Sequence, residues 1–241
     1  MRRPGGYLCA TRHPWSCLLF LAPLLVVYEA GVLWLGGPQP ELLRNGADTW
    51  LRWGLESFGL SQLYCAPAFI VAVFVGWSLL RLTDRPLRPL NVWLGMALES
   101  VGFAFGLWAL SKELGPFLEQ FDIHLSVGMD SKTLGRVVTF VGAGIYEEML
   151  FRLLLFCALG IVFRLMGVPR IISALLVGIA SAVLFAAAHH LGPYGEPING
   201  YVFLFRSLAG FYFALLYQLR GFGIAVGAHA CYDVLVGVLI V

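Results

Sequence analysis

The stretch LGRVVTFVGAGIYEEMLFRLLLFCALGIVF, residues 134–163, decides how the chain is read. It is long enough to cross a bilayer, for which about 20 predominantly apolar residues suffice. Yet it carries Glu147, Glu148 and Arg152 near its middle. A charge at the bilayer centre costs roughly 2.5–3.5 kcal/mol even on the lenient insertion scale. Two further ionisable pairs lie in comparable stretches, His189 with His190 and His229 with Asp233. Groups placed at such cost are expected to face one another in a shared polar site rather than lipid.

The rest of the chain has the same character. Of its 241 residues, 59% are hydrophobic and 12% charged, with a mean hydropathy of +0.82. A soluble domain carries about 25% charged residues, so the chain reads as an all-α, polytopic integral membrane protein. The 20-residue rule gives seven spans: 16–36, 63–81, 91–110, 134–163, 171–191, 200–219 and 222–241. The fourth is either one tilted helix or a helix broken near Gly142 and Gly144, which would make eight segments. Pro86, Pro89, Pro169, Pro193 and Pro197 all fall in the connections, where helix breakers belong. The longer connections, 37–62 and 111–133, have room for interfacial helices, and Trp50, Arg52, Trp53 and Phe58 suit a headgroup-level segment. Residues 1–133 thus hold three spans with their loops, and residues 134–241 hold the ionisable helices, packed as one membrane domain.

The N-terminal run after Arg2, Arg3 and Arg12 is longer than a signal-peptide core and lacks a small-residue cleavage site, so it reads as a retained first span. Orientation follows the bias of Lys and Arg between short loops. Arg2, Arg3, Arg12, Arg81, Arg85, Arg88, Arg164, Arg170 and Arg220 fall on one side; Arg44, Arg52, Lys112, Lys132 and Arg136 fall on the other. This places the N-terminus in the cytoplasm and the C-terminus outside, in the plasma (inner) membrane. The formal net charge is +2 with its basic residues scattered, which gives no footprint for nucleic acid. Cys9, Cys17, Cys65, Cys157 and Cys231 form no CxxC or zinc-like cluster and read as free thiols.

Glu148 and Arg152 are spaced i,i+4, so they share a helix face and can pair. Glu147 is turned about 100° away, free for a different task. In the 171–191 span, Phe185 and His189 share a face, with three alanines between them that let other helices approach. His190 reads as an interfacial bystander. His229 and Asp233 are again i,i+4, and a hydrogen bond from one ring nitrogen to Asp233 would fix the tautomer and aim the other nitrogen. A structural ion-pair network, a packed histidine or a plain buried His–Asp pair would account for each motif alone. Together, a carboxylate and two imidazoles converging in a dry cavity suit water activation or metal binding.

EExxxR at Glu147, Glu148 and Arg152, FxxxH at Phe185 and His189, and HxxxD at His229 and Asp233 follow in order on separate apolar helices. In this the chain resembles the CAAX protease and bacteriocin-processing family, intramembrane endopeptidases that include the type II CAAX prenyl endopeptidases. The resemblance covers about residues 134–241; the first three spans show nothing specific to the family. It implies hydrolysis of a peptide bond by a glutamate-activated water. Glu147 matches the general base, and His189 the histidine that helps to hold the water. His229 and Asp233 match the oxyanion-stabilising pair, and Glu148 and Arg152 the positions that shape the site. It also offers Glu147, His189 and His229 as a zinc ligand set, but without HExxH or other compact ligand spacing the metal-free reading, with no cofactor, is favoured.

One departure matters. Many members carry Asn where this chain has Asp233, and an ionised carboxylate only accepts hydrogen bonds. Asp233 therefore either stays protonated or serves to orient and charge His229, and the second reading is preferred.

The expected partners are the bilayer and a membrane-attached protein or peptide substrate. A transporter or proton relay using the same carboxylates, or a non-catalytic peptide-binding or immunity protein, are the competing functions; paired broken helices or internal repeats, which a transporter favours, are not seen. His189 lies near the outer end of its span and Glu147 and His229 nearer the middle, so the site is expected to open to the non-cytoplasmic side. Arg206 is expected to snorkel to the interface, or else to pair with Glu99 or a substrate carboxylate. Glu29 and Glu99 have no assigned role.

Overall fold

The structure is a computed structural model that describes residues 6–82, 89–119, 133–192 and 195–239. The sequence readings that rest on Arg2, Arg3, Arg85, Pro86, Arg88, Lys132 and Pro193, and on the end of the last span, lie outside these residues. Among them all regular structure is helical. A short α1 (Tyr7–Thr11) precedes α2 (Pro14–Gly36), a 3₁₀ turn (Pro40–Leu43) and α3 (Gly46–Glu56). Then come α4 (Cys65–Leu79), α5 (Pro89–Glu119) and α6 (Thr133–Glu148). A π-helical segment (Met149–Leu154) leads into α7 (Leu155–Leu165), followed by α8 (Arg170–Ala188) and α9 (Gly200–Arg220). α10 (Phe222–Val234) closes the bundle and passes into a second π segment, Leu235–Leu239.

Four of these helices, α2, α5 up to Glu113, α8 and α9, are both long and apolar enough to cross a membrane. The molecule is thus a polytopic helical bundle and an integral membrane protein. The other three expected spans exist as helices but differ in a physical way. α4 has 15 residues and α10 with its π extension reaches Val238; at about 1.5 Å per residue α4 spans only ~22 Å. The long fourth helix fails by composition, because of the charges in its middle. Its irregularity also lies elsewhere than expected. Gly142 and Gly144 sit inside regular α6, and the backbone widens only after Glu148.

The glycines serve packing. A side chain on Gly142 would overlap the ring of Tyr28, and a Cβ on Gly144 would stand 2.9 Å from both the Ala230 nitrogen and the Val226 oxygen. Small residues of this kind let membrane helices approach closely. α10 is the axis of the bundle: every residue from Phe222 to Ala230 is buried, against α5, α6, α9 and α2. Beside it, Leu21, Tyr28 and Val32 of α2, Ile70 and Phe74 of α4, and Ile145, Tyr146 and Met149 form the largest apolar cluster. His229 is therefore carried into the centre of the protein.

The 37–62 connection folds as the 3₁₀ turn and α3. Asn45 caps α3, its Oδ1 accepting from the Ala47 N–H at 2.7 Å. This satisfies one of the donors that a helix start leaves open.

Candidate active site

The close contact of α6 with α10 at Gly144 sets Glu147 and Glu148 against His229. The two carboxylates take opposite nitrogens of one ring. Nδ1 of His229 lies 2.8 Å from Glu148 Oε1, and Nε2 lies 3.7 Å from Glu147 Oε2 and 3.5 Å from Asp233 Oδ2. Asp233 thus approaches His229, but the orienting hydrogen bond expected of it is made by Glu148, on the other nitrogen. An i,i+4 separation along α10 brings Asp233 only to the face of the ring that Glu147 also meets. The ring plane is fixed further by Phe213, stacked at 4.4 Å with an interplanar angle of 12°.

Glu148 and Arg152 form the pair that their spacing predicts, Nε to Oε2 at 3.2 Å, with no side-chain surface on either. The π segment between them leaves them in reach. Arg152 also donates to the Gly210 carbonyl at 2.9 Å and lies 4.5 Å from the Phe185 ring centre. The same Phe185 meets His189 edge-on at 5.0 Å and His229 at 5.8 Å. Nδ1 of His189 is within hydrogen-bond distance of the Phe185 carbonyl, at 2.9 Å, which leaves Nε2 as its outward nitrogen, within electrostatic reach of Glu147. The structure therefore brings Glu147, Glu148, Arg152, His189, His229 and Asp233 into one region. Glu147 and Asp233 keep 11% and 24% of their side-chain surface, so they are the carboxylates that an incoming molecule can touch.

Among the described residues no three His, Cys, Asp or Glu side chains are grouped so as to hold a metal ion.

Three features escape the sequence reading. Asn45 Nδ2 donates to Glu147 Oε1 at 3.0 Å across 102 positions of chain. Glu29 is not isolated: it accepts from Tyr146 at 2.6 Å and pairs with Arg44 and Arg52, which both also bond Asp48 at 2.7 Å. Arg206 neither meets Glu99 nor stands alone. It grips Glu196 through two bonds of 2.8 and 2.9 Å, which hold that carboxyl below its usual range, while Glu99 is taken by Arg220 at 2.7 Å. His190 is likewise tied to this loop, its Nδ1 lying 2.8 Å from the Glu196 carbonyl. The Asn45–Glu147, Glu29–Tyr146 and Glu99–Arg220 contacts link residues more than 100 positions apart, and spacing carries no signal for them.

No curated protein and no solved structure matches the chain. Residues 130–235, which span both carboxylate-bearing helices together with His189 and His229, match the family described as type II CAAX prenyl endopeptidase Rce1-like. Over these residues, fewer than half of the 241, the chain is similar to the Rce1-like type II CAAX prenyl endopeptidases.

Proposed function

We propose that the protein is an intramembrane endopeptidase that cleaves a membrane-attached protein or peptide near one of its ends by glutamate-activated water. The observation that carries this reading is the ring of His229, held at Nδ1 by Glu148 at 2.8 Å with Nε2 facing Glu147 at 3.7 Å. A gap of that size between polar atoms is where one asks for a bridging water. In this mechanism Glu147 takes a proton from a water that it shares with the outward nitrogen of His189. The hydroxide adds to the scissile carbonyl carbon, and the oxyanion accepts a hydrogen bond from Nε2 of His229. On collapse the carbon–nitrogen bond breaks, and the proton on Glu147 passes to the departing amine. Glu148 keeps the imidazole oriented, and Arg152 holds Glu148 in place. The apolar helices around the site exclude bulk water, which strengthens each of these interactions.

The family's name makes a prenylated C-terminal peptide the first probe to offer. The decisive experiment needs no prior choice of substrate. Protein termini in membrane and secreted fractions are compared between a deletion strain, its wild-type complement and a Glu147→Gln complement. A terminus present only with the wild type is expected. Identical termini in all three, with both proteins well expressed, would move the function to transport or peptide binding.

A further inference from the structure

We infer that Asn45, which lies outside the family-matched residues, is the positioning residue for Glu147. The inference rests on the reading of Glu147 as the general base. The amide of Asn45 is committed at both ends. Its Oδ1 accepts from Ala47 N–H at 2.7 Å, so the amide cannot be turned over, and its NH₂ is directed at Glu147 Oε1, 3.0 Å away. The backbone N–H of Asn45 donates to Tyr28 Oη at 3.1 Å. Glu147 thus has one oxygen fixed by Asn45 while the other faces His229, which is the division of labour a base needs: one lone pair held, one offered.

Behind Asn45 stands a cluster that a bundle would not build for packing alone. Arg44 and Asp48 have no side-chain surface and bond each other at 2.7 Å; Tyr28 donates to Asp48 at 2.9 Å; Arg52 ties Asp48 to Glu29. Tyr146, the residue before Glu147, donates into the same cluster through Glu29 at 2.6 Å. Burying such ions is costly, and substituting well-packed apolar residues is often neutral or stabilising. The cluster clamps both the backbone next to the base and the donor on its carboxylate. Around Glu147 the charged and titratable groups are then His229 and Asp233 from α10, His189 beyond α8, Glu148 and Arg152 on its own helix, and this clamp from α2 and α3. Among the described residues, Asn45 is the one neutral donor bonded to its carboxylate.

The test uses full-length protein in lipid nanodiscs, the synthetic peptide spanning the cleavage site found by terminus comparison, and two variants. Asn45→Ser and Asn45→Asp both keep a good helix cap, since Asn, Asp and Ser rank alike at that position, so thermal unfolding is expected to stay near wild type. They differ at Glu147. Ser is too short to reach it but leaves room for a water donor; Asp replaces the donor by an acceptor. The expected result is a kcat lowered about tenfold in Asn45→Ser and about a hundredfold in Asn45→Asp, as for losing hydrogen bonds to a charged group, with KM within about twofold. Wild-type kcat in both, while Glu147→Gln is inactive, would overturn the inference and leave the proposed function standing. A fall in activity that only follows the folded fraction would also overturn it. Cleavage by Glu147→Gln, or none by wild type, would overturn the proposed function and this inference with it.

Discussion

At the scale of single residues, the two carboxylates that approach His229 more closely than Glu147 does should behave oppositely. Glu148 holds Nδ1 at 2.8 Å and balances Arg152, both fully buried. Glu148→Gln weakens the orientation of the ring and leaves a guanidinium without a counter-ion; breaking a buried pair in this way costs about 3–5 kcal/mol. It is expected to lower both the unfolding temperature and kcat, the latter by on the order of 10²-fold or more. Asp233 stands 3.5 Å from Nε2 with a quarter of its side chain exposed, and its carboxylate faces the region where an oxyanion would form. Asp233→Asn removes that repulsion and supplies a donor, so kcat is expected to stay within about tenfold of wild type with stability unchanged. A dead Asp233→Asn enzyme would assign Asp233 a proton-handling role instead. The Glu148–Arg152 pair was legible in the sequence because helical periodicity alone brings i and i+4 together. The Glu148–His229 and Asn45–Glu147 contacts were not, because they depend on which faces of distant helices meet.

At the scale of helices, the contact that builds the site is α6 against α10, and its tolerance is set by Gly144. A Cβ there would meet backbone atoms, the Ala230 nitrogen and Val226 oxygen at 2.9 Å, which cannot rotate away as a side chain can. Gly144→Ala is expected to separate the helices by a fraction of an ångström and move both carboxylates from His229. Misplacement of about 1 Å is enough to cost on the order of 10²-fold. Gly160→Ala on α7 is the control, since a Cβ there meets nothing within 4 Å, and its activity and stability should match wild type. Loss of cleavage in both variants, or in neither, would show that the helix contact does not limit the geometry. The two glycines were visible in the sequence, but as candidate breaks. What they do is permit contact. The real irregularities are the π segments after Glu148 and Val234; the first contains neither glycine nor proline, and the second only Gly237. Their position directly after the carboxylate-bearing turns fits the frequent occurrence of π-bulges at functional sites.

At the scale of the whole molecule, composition and the 20-residue rule found every long apolar helix, with ends within a few residues for α2, α8 and α9. They did not reveal that the N-terminal helices contribute to the site, because Glu29, Arg44, Asp48 and Arg52 lie on three separate elements and only folding assembles them. The number of crossings decides where the termini lie. The continuous helix from Thr133 to Leu165 is about 50 Å long at 1.5 Å per residue, more than the ~30 Å hydrocarbon core requires, and its charges are turned inward, with Glu148 and Arg152 wholly buried. It can therefore cross despite its composition. Counting it with α2, α4, α5, α8, α9 and α10 gives an odd number of crossings, so the N- and C-termini should lie on opposite sides. From the bias of Lys and Arg the N-terminus is expected in the cytoplasm. Fusions of a reporter active only in the cytoplasm and one active only outside, each attached separately at both ends, test this directly. Cytoplasmic activity at the N-terminus and outside activity at the C-terminus are expected. Both ends on one side would mean that one helix, with the 15-residue α4 the shortest candidate, enters the bilayer without crossing it, and would reverse the face toward which the site is expected to open.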